Sequence, residues 1–157
     1  MRIDYRHVFP EAMKAMSGLE EAVHQSSLEP GLLELVKLRA SQINGCGYCV
    51  DMHTKDARAM GEDEQRLYLA AVWREAPCYS ARERAALAWC EALTRLPDND
   101  VPSSLFDEVS RCFSPEEIVA LTLAVVAING WNRFAVSLRS PVGSYVSNRR
   151  PSVATPS

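Results

Sequence analysis

No stretch of this 157-residue chain reaches the roughly 18 consecutive apolar residues that a bilayer span needs. Met1-Arg2-Ile3-Asp4-Tyr5-Arg6-His7 contains no apolar leader core, so no secretory signal is expected and a cytoplasmic location is. There is no excess of one charge. Seventeen Lys and Arg face 20 Asp and Glu for a net charge of −3, and the basic residues are scattered singly or in pairs. Such a chain offers no electrostatic footprint for a phosphate backbone or an anionic membrane, which excludes nucleic acid and membrane as expected partners. No run of strict apolar/polar alternation is bounded by Asn-Gly or Asp-Gly turns, and there is no internal repeat or low-complexity block.

What remains is a chain 47% hydrophobic and 24% charged with apolar residues at helical spacing almost throughout, which predicts an all-α fold. At this length about 70% of the unfolded surface can be buried, so one domain can hold its core without disulfide or metal staples. Five cysteines, an odd number, argue against a secreted disulfide framework and for reduced thiols.

The first predicted helix runs from near Pro10 to His24. A strongly apolar second starts at Pro30 and is broken by Asn44-Gly45. A third covers about Gly47 to Met60, closed by Gly61, and a fourth about Asp63 to Ala76, ahead of Pro77. Ser80 with Glu83 and Ser114 with Glu117 have the spacing of capping boxes, and open helices to about Leu96 and Leu138. A short helix, Ser103 to Cys112, lies between them. The last helix is apolar on nearly every side and should be buried all round, either centrally or against another subunit. The core domain is expected over residues 1–143 and a flexible tail over 144–157, where Ser, Arg and Pro dominate.

Cys46-Gly-Tyr-Cys49-Val-Asp-Met-His53 is the one segment whose residue types and spacing suggest a reaction. On a helix these two cysteines and the histidine fall within about 60° of one another. A helix start at Gly45 puts both sulfurs in the first turn, where free N–H groups favour a thiolate, with His53 one turn on to take a proton from Cys49. Five cysteines form ten pairs, each with a chance near 2/157 of lying three apart, so an accidental C-x-x-C is roughly a one-in-eight event. Haem attachment would need histidine directly after Cys49, where Val50 stands, and a thioredoxin-like site would need a preceding strand. A zinc site would use Cys46, Cys49 and His53 but needs a fourth ligand from Cys78, Cys90, Cys112, His7 or His24. The plain alternative is two half-buried cysteines beside a satisfied histidine. For Glu34, periodicity alone indicates a solvated helix carboxylate.

The segment Glu34 to His53, with Arg74-Glu-Ala-Pro77 and Arg82-Glu-Arg-Ala-Ala-Leu-Ala-Trp89, closely resembles the single-domain AhpD-like proteins of the alkylhydroperoxidase D and carboxymuconolactone decarboxylase superfamily. The resemblance spans about Arg2 to Val142, and Ile128-Asn-Gly-Trp-Asn-Arg133 is similar to the family's last-helix segment. It implies an all-helical AhpD-like domain, with the C-x-x-C at the start of a central helix, assembled as a homo-oligomeric trimer or hexamer. It also implies a peroxidatic role for Cys49, a resolving role for Cys46, and a proton relay of His53 and Glu34. Tyr48 occupies the place of a second family histidine; its phenol can still donate a hydrogen bond and makes it a candidate substrate contact. The implied activity is reduction of a hydroperoxide, with an external dithiol as reductant and no metal or organic cofactor. The superfamily's other chemistry, cofactor-free decarboxylation or isomerisation of a lactone acid, has no use for two thiols on one stripe. A non-enzymatic redox-sensing or zinc-holding oligomer is the third reading.

Overall fold

The computed structural model describes residues 1–150, and over them the chain is helical with no strand. The helices are α1 (Tyr5–Val8), α2 (Pro10–His24), α3 (Pro30–Ile43), α4 (Gly47–Ala59), α5 (Glu64–Leu69), α6 (Ala81–Arg95), α7 (Ser103–Ser110) and α8 (Pro115–Ser137). Most boundaries follow local rules. Pro10, Pro30 and Pro115 each occupy the first helical turn, where a missing N–H costs nothing. Both expected capping boxes are formed, with Ser80 and Ser114 accepting from the N–H of Glu83 and Glu117 and the glutamates accepting in return. Each box contributes about 1 kcal/mol to its helix start.

Two boundaries differ from the pattern read in the sequence. The helix expected over Asp63–Ala76 ends as an α-helix at Leu69 and tightens into a 3-10 turn at Ala70–Val72. Its last carbonyls are satisfied from outside, because the Arg84 guanidinium donates to Trp73 O, Arg74 O and Ala76 O. The short helix expected to reach Cys112 stops at Ser110.

The central helix is α3. It packs on α4, α6 and α8, and every residue from Leu32 to Ser41 is buried. Three of these are charged, and each has a partner: Glu34 with His53, Lys37 with Glu20, Arg39 with Glu91. Glu91 also accepts from Trp73 Nε1 at 2.9 Å and from Arg74 at 2.6 Å, which ties α3, α6 and the 3-10 segment together. Around this centre, Leu33, Val36, Leu38, Leu87, Leu121 and Ile128 are all fully buried. Each such side chain stabilises the fold by about 1.5–3 kcal/mol on transfer from water.

The last helix, by contrast, is not buried all round in the single chain. Val119, Val126 and Val136 of α8 are about half to two-thirds exposed. On length and mean hydropathy α8 is also apolar enough to cross a bilayer, although the sequence lacks an unbroken apolar run of that size; half of its apolar window is buried against the other helices. Gly130 lets α2 come close, since a Cβ there would lie 2.8 Å from Met16 Cε.

Residues 144–150, expected as part of a loose tail, run back over α4. Tyr145 Oη donates to Asp56 Oδ1 at 2.8 Å, Ser147 Oγ donates to the same oxygen at 2.5 Å, and Lys55 donates to Tyr145 O at 2.9 Å. The remainder of that expected tail, 151–157, lies outside the described residues.

Candidate active site

The link between α3 and α4 builds the site. Asn44 ends α3 in helical conformation, and Gly45 turns into the left-handed region at φ +62, where a Cβ would be strained. Gly45 N–H then donates to Gln42 O and Cys46 N–H to Ser41 O, closing the helix end. The chain emerges extended at Cys46, the N-cap of α4, so that Cys49 falls in its first turn and His53 one turn later. Both cysteines and His53 are buried.

His53 Nδ1 lies 2.7 Å from Glu34 Oε2 in a buried pair that joins α4 to α3. Its other ring nitrogen, Nε2, is buried with no hydrogen-bond partner among the described residues. Burial pushes the Glu34 carboxyl up, but the His53 hydrogen bond and charge, helped by Lys37, outweigh it and hold the group below its usual value. Glu34 is therefore a carboxylate at neutral pH, and the imidazole has a fixed anionic partner behind it.

The two thiols influence each other's ionisation. The Cys49 thiol faces the Cys46 sulfur and draws Cys46 down to about 6 against the effect of burial, with further help from the Cys49 N–H, Asn132 and His53. The same contact, together with burial, pushes Cys49 up. The shift belongs to the pair: one thiolate is favoured over two, and either sulfur can carry it.

Cys49, His53 and Glu34 line one cavity of about 270 Å³, with Tyr48, Met52 and Trp131 among its walls. Cys49 is on that wall and Cys46 is not. Tyr48, half-buried, is on it too. The structure therefore brings Cys49, His53, Glu34 and Tyr48 to one cavity, with Cys46 behind. Among the described residues no group of three or more His, Cys, Asp and Glu side chains converges as metal ligands would. Cys90, deep in the core, donates to Val36 O, while Cys78 and Cys112 are half-buried elsewhere.

Several neighbours escaped the sequence reading. Tyr5 and Arg6 of α1, and Tyr145 and Arg149 of the C-terminal segment, line the same cavity, and no local periodicity marks them. Asn132 and Ser41, both buried, are joined by a 3.1 Å hydrogen bond, and both oppose the upward effect of burial on the Cys49 thiol. Their only signal in the sequence was polar side chains inside apolar helices, which reads equally as structural bonding.

Known proteins fit this picture. The model of the carboxymuconolactone decarboxylase family matches residues 10–92. The uncharacterized protein YdfG of Bacillus subtilis is 42% identical over 143 residues, covering 91% of this chain and 97% of the relative. A protein of unknown function from Agrobacterium tumefaciens, whose crystal structure carries the suggestion of an AhpD-type antioxidant defence role, is 47% identical. It superposes with a TM-score of 0.87 over 92% of this chain and 99% of that one. The debrominase Bmp8 shares the fold, with a TM-score of 0.77 at 22% identity over 86% of this chain and 73% of its own. On the family match and these relatives, with the all-helical architecture in agreement, the chain belongs to the carboxymuconolactone decarboxylase family as an AhpD-like member.

Proposed function

We propose that this protein is a thiol-dependent peroxidase that reduces hydroperoxides through the Cys46/Cys49 pair. The observation that carries the reading is the buried Glu34–His53 bond at 2.7 Å, set in the wall of the cavity that Cys49 faces. A carboxylate fixed behind an imidazole is what a general base needs to accept a thiol proton and return it.

The cycle balances on these residues alone. Cys49 gives its proton to His53, and the thiolate attacks the distal oxygen of the hydroperoxide. An S–O bond forms as the O–O bond breaks, the sulfur loses two electrons, and the departing alkoxide takes the proton from His53 as an alcohol. Cys46 then attacks the Cys49 sulfenic acid, and hydroxide leaves with a proton as water, giving the Cys46–Cys49 disulfide. An external dithiol returns two electrons and two protons to restore the pair. Tyr48 lines the same cavity, and its phenol can donate a hydrogen bond to a bound hydroperoxide. No metal or organic cofactor enters the cycle.

The family resemblance and the exposed valines of α8 support a homo-oligomer, a trimer or hexamer, in which that face is covered. The cycle is tested by titrating thiols in the reduced protein before and after one equivalent of an alkyl hydroperoxide, with peptide mass spectrometry. Five thiols should become three, with the new bond between Cys46 and Cys49. Five persisting thiols, or a bridge elsewhere, would overturn it.

A further inference from the structure

The cavity wall holds one cation that the thiol cycle leaves unused. The carboxylates that line the space are already engaged: Glu20 by Lys37 at 2.5 Å, Glu34 by His53 at 2.7 Å, and Asp56 by Tyr145 and Ser147, with Arg149 Nε at 3.9 Å. Arg6 lines the same cavity and is exposed. Among the described residues its side chain has neither a carboxylate partner nor a hydrogen bond.

Arg6 is nevertheless held in place. Its guanidinium lies 5.6 Å from the centre of the Tyr5 ring and 5.7 Å from that of Trp131. Those rings are anchored in turn, since Tyr5 is buried, meets Ser140 Oγ through its hydroxyl at 3.2 Å, and packs with Trp131 against Phe134. A guanidinium positioned by ring faces keeps its charge at a fixed place and its N–H donors unspent.

The same cavity has a second unsatisfied group. His53 Nε2 is buried without a partner among the described residues, while Nδ1 is committed to Glu34. Met52, Trp131 and Ala135 add apolar wall. At about 270 Å³ the space is far larger than the roughly 30 Å³ that one water molecule occupies, so it is oversized for hydrogen peroxide. A ligand matching all of this has a group that can hydrogen-bond to an imidazole nitrogen, an apolar body, and one negative charge at the exposed rim. The two parallel N–H groups of a single arginine fit a carboxylate.

We propose that this cavity takes an amphipathic carboxylic acid, with Arg6 as the specificity-determining residue, and that the substrate is an organic hydroperoxide bearing a carboxylate. The second half rests on the peroxidase reading. The carboxylate takes no part in the redox steps: it stays with Arg6 while the peroxide group meets Cys49 and His53. Lys37 and Arg149 do not compete for it, because Glu20 and Asp56 already engage them. Solvent screening at the rim keeps the discrimination to about fivefold.

Binding is read without peroxide. The full-length reduced protein is alkylated with iodoacetamide in the presence of octanoate or octanamide, which match in shape and differ in charge, and peptide mass spectrometry follows modification at Cys49. Octanoate should protect Cys49 at about one-fifth of the concentration that octanamide needs, and Arg6→Gln should abolish the difference. Equal protection by the two probes in the unmutated protein, or none by either, would overturn the proposal whether or not the variant folds. So would a preference for octanoate that survives in folded Arg6→Gln. The substrate is read with a carboxylate-bearing alkyl hydroperoxide and its amide at limiting concentration, where the acid should be consumed about fivefold faster. Equal consumption would overturn the substrate assignment and leave the peroxidase reading intact. Octanoate protection that depends on Arg6, in a protein inert to both hydroperoxides, would sink the peroxidase reading and leave the acid site standing.

Discussion

Glu34 Oε2 and His53 Nδ1 meet at 2.7 Å although they are 19 residues apart and sit on different helices. Both are less than 5% exposed, so each is the other's fixed partner. Glu34→Gln keeps a side chain of the same shape but removes the charge behind the imidazole. Hydroperoxide turnover should fall by at least about 10²-fold, within the range for a general base that has lost its anionic partner, while the helical circular dichroism stays the same. His53→Ala should be worse for the fold. It strands a buried carboxylate and should cost about 3–5 kcal/mol in urea unfolding at neutral pH.

The two sulfurs should separate by role. Cys49→Ser should abolish turnover. Cys46→Ser should still consume one equivalent of hydroperoxide and stop at a sulfenic acid, which dimedone labelling and mass spectrometry would detect at Cys49. Full turnover in Cys49→Ser, or dimedone adducts in that variant at Cys46, would reverse the assignment.

Stability should depend on pH on the acid side. Burial raises Glu34 and Glu91, but His53 in one case, and Trp73, Arg74 and Arg39 in the other, bring both below the ordinary value of 4.5. Because these folded-state values lie under the unfolded one, the stability they contribute is complete above pH 4.5 and is lost as the pH falls through the folded values. The part of the urea midpoint that these two groups supply should be level above that pH and decline below it. Glu91→Gln should lower the midpoint at pH 7 and flatten the acid decline.

Asp56, 4% exposed, is the anchor of the segment that crosses α4. Asp56→Ala removes the acceptor for Tyr145 and Ser147 together. Limited proteolysis should then cut within residues 144–150 faster than in the parent, by about tenfold for each 1.4 kcal/mol of docking lost. An unchanged cleavage rate would mean that Lys55 and the backbone contacts hold the segment without it.

What could be read from the sequence was what is local. The capping boxes at Ser80 and Ser114 and the break at Asn44-Gly45 depend on residues a few places apart, and the folded chain has each of these features. What could not be read depends on pairing at a distance. Glu34, Lys37 and Arg39 make α3 look like a helix with a wet face, yet all three are buried because Glu20, His53 and Glu91 reach them from elsewhere. The uniformly apolar α8 reads as a helix covered on all sides, centrally or by another subunit, but the sequence does not say which positions face outward from the single chain, as Val119 and Val126 do. The buried asparagine of α8 was hidden for the same reason. Asn132 is 91 residues from Ser41, and nothing at short range reveals their bond.

The cavity draws its reactive groups and its outer walls from different parts of the chain. Relay and sulfurs belong to α3 and α4, whereas Tyr5 and Arg6 come from the first helix, and Tyr145 and Arg149 from the closing segment. On the proposed cycle, selectivity and reactivity are carried by separate stretches: swapping only these two peripheral stretches between homologues should transplant the guest preference of one protein onto the unchanged chemistry of another.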